Sequence, residues 1–278
     1  MNIEFSKRAE RFGSNIFNIL NEKKNDRLAQ GKPVYNFTVG TPDFKPDESV
    51  MKVVSDAALD PENYKYSLGD TDELLDAVCK WYKRRYNTVI TPDEVTSVFG
   101  TQEGMAHIAL ALCNPGDLCL VPNPGYPTYT SLSKILGAEV INYDLKEDEN
   151  WMPDFEALER MDLSRVKLMW TNYPNMPTGA NATPELYGRL VDFARRKNIV
   201  IVNDNPYSFI LNEKPISILS VPGAKDCCIE FNSMSKSHNM PGWRIGMLAS
   251  NAEFVQWILK VKSNIDSGMF RAMQLAAA

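Results

Sequence analysis

Neither Gly-x-Gly-x-x-Gly nor Gly-x-x-x-x-Gly-Lys-Ser/Thr occurs in the 278 residues, which removes the two commonest glycine-loop signatures for nucleotides. Histidine is nearly absent. His107 and His238 are the only two, so a histidine-based metal centre is set aside and no metal is expected. His107 falls within a helical pattern as packing or surface, and His238, two residues after Lys236, reads either as a neighbour of a site or as surface-exposed. The five cysteines (Cys79, Cys113, Cys119, Cys227, Cys228) are an odd number without Cys-x-x-Cys spacing, which argues for buried thiols in a reducing compartment. No run approaches the ~20 apolar residues of a membrane helix. Met1–Arg8 is polar and lacks the apolar core of a signal peptide, so a cytoplasmic protein is expected. Thirty Lys+Arg against 35 Asp+Glu give a net charge of −5 with no basic cluster, and nucleic acid is not an expected partner. The densest basic run, Lys83-Arg84-Arg85, closes a helical segment, where cations oppose the negative end of the macrodipole.

What is present is a chain long enough for a large core, with 44% hydrophobic residues. Asp70-Thr71-Asp72-Glu73 resembles a capping box, and Leu74, Val78 and Tyr82 then recur at helical spacing up to Arg85. Val95–Phe99 reads as a short buried strand, Gln102–Leu112 as a helix and Leu118–Val121 as a second strand, a β-α-β unit. Further apolar runs occupy Val140–Tyr143, Val166–Trp170, Ile199–Val202, Cys227–Phe231 and Ile245–Ala249. Thr183-Pro184-Glu185 supplies an N-cap and a first-position proline to an intervening helix. Short apolar strands alternating with amphipathic helices predict an α/β fold: a mostly parallel mixed sheet between two helical layers. The first 45 residues, with a helical stretch around Phe12–Leu28, read as an N-terminal arm, and residues 46–278 as the large domain. The final Phe270–Ala278 has helical composition with no stop signal, which reads as a truncated product.

In such sheets ligands sit beyond the carboxyl ends of the strands. Gly100-Thr101-Gln102-Glu103-Gly104 joins a strand to a helix, so backbone amides there point at an anion. Asn203-Asp204-Asn205-Pro206-Tyr207 puts a carboxylate and a phenol at the same edge. Ser233-Met234-Ser235-Lys236, followed by Pro241-Gly242-Trp243-Arg244, adds hydroxyls, an amine and a guanidinium. Each stretch alone also reads as a turn or a structural ion pair.

Together, and in order, Gly40-Thr41-Pro42-Asp43-Phe44, Tyr66 with Gly69, Gly100-Thr101-Gln102, Pro124-Gly125-Tyr126-Pro127, Asn172 to Gly179, Asp204-x-x-Tyr207 and Ser233-x-Ser235-Lys236 with Arg244 resemble the class I/II aminotransferases of the pyridoxal-phosphate-dependent, fold-type-I superfamily. The resemblance spans essentially the whole chain. It implies an amino-group transfer between an amino acid and a 2-oxo acid, with Lys236 holding the cofactor as a Schiff base and carrying the proton. It makes Asp204 the partner of the ring nitrogen, Tyr207 a donor to the ring's phenolic oxygen and Tyr126 the stacking ring. Thr101, Gln102, Ser233, Ser235 and Arg244 would receive the phosphate. Tyr66, and with it Ser267, would reach across a homodimer interface to the other subunit's cofactor, and Gly40 would approach the substrate carboxylate.

Two departures stand out. The family usually has Asn directly before Pro-Thr-Gly, where this chain has Met176; Asn172 or Asn175 could replace that contact through a shifted loop, or Tyr207 could be the sole donor. The family's small domain, with the arginine for the substrate α-carboxylate, has no counterpart assigned among these residues. A β-elimination lyase or cyclopropane-forming synthase on the same scaffold starts from the same chemistry, and a non-catalytic sensor module is the alternative of another class.

Overall fold

The computed structural model describes residues 3–7, 9–11 and 16–278. The arm contributes α1 (Ile16–Ala29), which buries none of its residues, so the helix expected around Phe12–Leu28 is present from Ile16 while Phe12 lies outside the described residues. The domain then runs α2 (Glu48–Ala57), α3 (Asp72–Tyr86), β1 (Val95–Val98), α4 (Thr101–Leu112), β2 (Leu118–Asn123), α5 (Pro127–Ile135), β3 (Glu139–Lys146), β4 (Met152–Pro153) and α6 (Phe155–Arg160). It continues through β5 (Val166–Asn172), α7 (Pro184–Lys197), β6 (Val200–Asp204), β7 (Cys228–Ser233), α8 (Met234–Ser237), β8 (Gly246–Ala249), α9 (Ala252–Lys262) and α10 (Arg271–Ala277).

Local chemistry sets these boundaries. The Thr71 hydroxyl caps α3 by accepting from the Leu74 amide, and Asn87 ends it in the left-handed conformation. Leu74, Val78 and Tyr82 form its buried stripe. The Thr183 hydroxyl caps α7 in the same way, with Pro184 at its first position.

The eight strands lie in the order β1-β8-β7-β6-β5-β2-β3-β4. β8 is antiparallel to both β1 and β7, β4 is antiparallel to β3, and the remaining pairs are parallel. Side chains alternate across the central strands: Leu168, Trp170, Val202, Ile229 and Phe231 join the core formed with α4, α5 and α9. Met169, Ile201 and Cys228 face the opposite core, with α3, α6 and α7. The result is the expected three layers, with β1 and β2 brought to distant positions by the crossover through α4. A Cβ on Gly104 would strike the Phe231 ring, so glycine lets α4 settle close over β7.

Candidate active site

The parallel strands β5, β6 and β7 end together, and their ends carry the ionisable groups. Asp204, the last residue of β6, is only 4% exposed. Its Oδ2 accepts a hydrogen bond from the Tyr129 hydroxyl at 2.9 Å, whereas Oδ1 is buried without a hydrogen-bond partner. Burial pushes the carboxyl up to about 7 against the lowering effect of Tyr129 and the neighbouring Thr101 hydroxyl. Tyr129 is itself fixed by stacking on Trp170, with ring centroids 5.6 Å apart and planes 8° from parallel. Behind the carboxylate, Asn172 at the end of β5 donates to the Asp204 carbonyl at 2.6 Å and accepts the Met176 amide at 2.7 Å. The Asn172 side chain thus holds the acid's main chain and the Met176 loop together. Asn175 accepts from the Thr178 hydroxyl at 2.9 Å and leaves its buried Nδ2 without a partner.

β7 feeds directly into α8, whose N-cap is Ser233; its hydroxyl accepts the Ser235 amide at 3.1 Å. Lys236 lies one turn on, and its amine donates to the Gly40 carbonyl at 2.6 Å, which ties the 40–44 segment to the lysine. Burial, and then the nearby Arg244 cation, hold the amine below the usual lysine range. Arg244 has a left-handed backbone, φ 57°, and donates from Nη1 to the Pro241 carbonyl at 3.0 Å. Its guanidinium occupies the space that a Cβ at Gly100 would need, and Gly100 also takes φ 79°, so glycine is required there on two counts. Gly100 is the N-cap of α4, and this packing sets a fixed cation beside the Thr101 and Gln102 amides at the helix's positive end. Tyr126 meets Tyr129 edge-on at 5.6 Å. Tyr207 is pushed up to about 12 by burial and by the neighbouring Asp204 and Tyr126.

Tyr66 and Ser267 are arranged differently. Both are exposed, Tyr66 by 84%, and they line the same shallow depression with Tyr64 and Phe270. The Tyr66 loop is anchored behind them by Asp70, which accepts the Thr96 hydroxyl and the Ser97 amide at 2.8 Å each. His107 is buried, with Glu103 and Asp266 close to its Nε2. The Lys262 ammonium, 2.7 Å from Asp266 and 3.7 Å from Glu103, supplies the positive charge of that group.

The donor set fits pyridoxal phosphate. The partnerless, buried Asp204 oxygen calls for a cationic N–H such as the ring nitrogen offers. The α4 N-terminus with Arg244 calls for a phosphate, and Lys236 is an amine with a lowered proton affinity. Sequence reasoning missed Tyr129. A signal existed in its place three residues after Tyr126, because i and i+3 share one side of a helical turn.

Comparison with known proteins agrees with this chemistry. The model of the aminotransferase class I and II family matches residues 32–278. The LL-diaminopimelate aminotransferase of Aquifex aeolicus is 43% identical over 275 residues, covering 98% of this chain and 71% of its own length. That of Dehalococcoides mccartyi is 40% identical over 279 residues, 99% of this chain and 72% of its own. Among solved structures, substrate-bound BacF from Bacillus subtilis superposes with a TM-score of 0.93 at 32% identity, over 100% of this chain and 71% of that one. An aspartate aminotransferase from Thermotoga maritima gives 0.88 at 28% identity, over 98% and 73% of the two chains. The chain therefore belongs to the aminotransferase class I and II family, and it is a pyridoxal-phosphate-dependent aminotransferase that moves an amino group between an amino acid and a 2-oxo acid.

Proposed function

We propose that residues 46–278 form the cofactor-binding domain, that Lys236, Asp204 and Tyr207 are its catalytic residues, and that LL-diaminopimelate is the amino acid it acts on. The observation that carries the site assignment is the buried, half-partnered Asp204 carboxylate at the strand edge shared with Lys236. The substrate assignment is supported by the names of the relatives that are 36–43% identical over most of the chain.

When bound, pyridoxal phosphate supplies an aldehyde carbon that takes up the amino group and a ring that accepts electrons. Asp204 keeps the ring nitrogen protonated; Tyr129 fixes the angle of its carboxylate, and Asn172 fixes its main chain. Tyr207 would donate a hydrogen bond to the ring's phenolic oxygen, and its raised proton affinity keeps it a donor at neutral pH. Tyr126 covers the ring face. The Thr101 and Gln102 amides, the Ser233 and Ser235 hydroxyls and Arg244 receive the phosphate. Lys236, with an amine less basic than usual, would carry the proton between the substrate Cα and the cofactor's aldehyde carbon. The Gly40 carbonyl parks that amine and brings the 40–44 backbone to where the substrate carboxylate enters.

Tyr66 and Ser267 fit a homodimer in which each subunit completes the other's phosphate site. Their exposure on firmly anchored loops supports this reading, because a phenol held out by buried hydrogen bonds is placed for a partner. Five free cysteines suit a cytoplasmic enzyme, and among the described residues no helix is long and apolar enough to cross a membrane.

Steady-state assay of amino donors tests the substrate assignment. LL-diaminopimelate should give the highest kcat/KM, with alanine and aspartate at least about 10-fold lower, as expected when polar groups built for a distal amino acid head are left unpaired. A higher kcat/KM for alanine or aspartate would overturn it.

A further inference from the structure

The face of the sheet opposite Asp204 carries an acid that the reaction chemistry does not use. Glu230 sits in the middle of β7, fully buried, in register with Asn203 of β6, while Phe231 stands opposite Asp204. Its Oε1 accepts the Ser217 hydroxyl at 2.6 Å and the Tyr82 hydroxyl at 3.3 Å. Its Oε2 accepts the Ile218 amide at 3.0 Å and the side-chain amides of Asn203 at 3.1 Å and Asn205 at 3.4 Å. All five donors are neutral. Two of them flank Asp204 in sequence, and the Asn205 amide also continues the sheet by donating to the Phe231 carbonyl at 3.0 Å. The network reaches the lysine's strand as well. Asn232 donates to the Tyr82 hydroxyl at 2.7 Å and accepts from the Tyr86 hydroxyl at 2.8 Å, one residue before Ser233.

A buried carboxylate held by neutral groups is a costly way to stabilise a core, since apolar side chains of equal volume serve at least as well. Its value lies in direction: a carboxylate whose two oxygens are both filled by directed hydrogen bonds restricts the elements it joins to one arrangement. Here those elements are the strand that ends in Asp204 and the strand that leads to Lys236.

We propose that Glu230 is a positioning residue for transamination, cross-tying the ends of β6 and β7 from beneath the sheet so that Asp204 and Lys236 keep a fixed separation. The inference rests on the assignment of those two residues to the cofactor given above. Asp204 maintains positive charge on the ring nitrogen, and that charge weakens proton binding at the cofactor's link to Lys236. A slack tie loosens Asp204, so the pH midpoint of the bound cofactor's visible absorbance moves up and the cofactor dissociates more readily.

The test compares the loaded wild-type chain with Glu230→Gln and with the charge-neutral Asn205→Ala, which removes the hydrogen bond from the residue after Asp204 and leaves that of Asn203 in place. Leu190→Ala, a core truncation on the same side of the sheet, controls for lost stability. Both network variants should raise the cofactor dissociation constant about 10-fold, the loss of one hydrogen bond's worth of fixation. Both should also move the absorbance midpoint upward by about half a pH unit or more. Leu190→Ala should lower Tm and leave the midpoint in place. If Asn205→Ala folds and keeps the wild-type midpoint and dissociation constant, or if Leu190→Ala moves the midpoint as far, the proposal fails, whether or not Glu230→Gln folds. Lys236→Ala separates the two levels: loss of the pH-dependent band in that variant upholds the site assignment even where the Glu230 proposal fails, whereas an unchanged band overturns the site assignment itself.

Discussion

The strand edge that bears Asp204 and Lys236 and the loops that bear Tyr66 and Ser267 are built in opposite ways. Asp204, Asn172 and Tyr129 are buried and hydrogen-bonded to one another, and the buried Ser235 donates its main-chain amide to the Ser233 hydroxyl. Tyr66 and Ser267 are exposed, and the 35–44 segment leaves Phe37 93% exposed, even though Gly40 in that segment touches Lys236. The first region takes its geometry from sheet register and from the buried side-chain hydrogen bonds around it. The second has an anchored Tyr66 loop and uncommitted side chains, as the proposed homodimer requires. Rigid scaffolds place the chemistry, and exposed loops supply the contacts that depend on a partner.

Replacing Asp204 by Asn should break the first region most severely. Activity should fall by about 10²–10³-fold, the usual effect of losing a preorganised electrostatic contact. The same change should raise the Tm of the cofactor-free chain at pH 8, because it removes a buried, half-partnered charge; unchanged activity, or a lower Tm at pH 8, would contradict the role given to this carboxylate. Tyr66→Ala probes the other region. It should weaken cofactor binding about 10-fold or more through loss of a bond to a charged group. Random re-pairing of this variant with Lys236→Ala should restore about a quarter of wild-type activity, since half of the mixed dimers' sites are intact and half of all dimers are mixed. No recovery would place Tyr66 within its own subunit's site.

The pH dependence sharpens the comparison further. Asp204 titrates near 7 when folded and at about 3.8 when unfolded. Between those values the unfolded chain has released a proton that the folded chain keeps. Stability of the cofactor-free protein therefore falls as pH rises from 4 to 7 and is level above, a loss of about 4 kcal/mol. A cationic ring nitrogen removes that cost, and the lowered proton affinity of Lys236 acts in the same direction. Cofactor affinity should rise roughly 10-fold or more from pH 5.5 to 8. Calorimetric titration at both pH values checks this, and a flat or inverted profile would refute it. The smallest effect is expected for Tyr129→Phe, which deletes one hydrogen bond to Asp204 and should cost about 1–3 kcal/mol of stability in the unloaded chain. Urea unfolding measures it, and no change would mean that the bond does not restrain the acid.

Much of this architecture was legible in the sequence. The Thr183 cap, the alternation of apolar strands with helices, and the placement of Asp204 and Lys236 at strand ends follow from local chemistry and from the rule for parallel sheets, whereas the capping box read over Asp70–Glu73 is a single Thr71 cap, with Asp70 turned to Thr96 and Ser97. The direction of β8 was not legible, because a four-residue apolar run reads the same in either sense. Tyr129 and Glu230 escaped because their roles depend on which strands become neighbours. The trace each left was small: a second tyrosine one helical turn after Tyr126, and an acid within the otherwise apolar Cys227–Phe231. Asn172 illustrates the limit on polar side chains. The resemblance offered it, or Asn175, as a replacement for the asparagine missing at Met176, and the structure engages both ends of its amide with Asp204 and Met176.

Borohydride reduction of the chain loaded with pyridoxal phosphate, followed by peptide mass spectrometry, tests the central claim most directly. The cofactor should be found on one peptide, that containing Lys236, and absent from Lys236→Ala. Labelling of a different lysine, or equal labelling of the Lys236→Ala chain, would contradict the assignment of this amine and of the strand edge built around it.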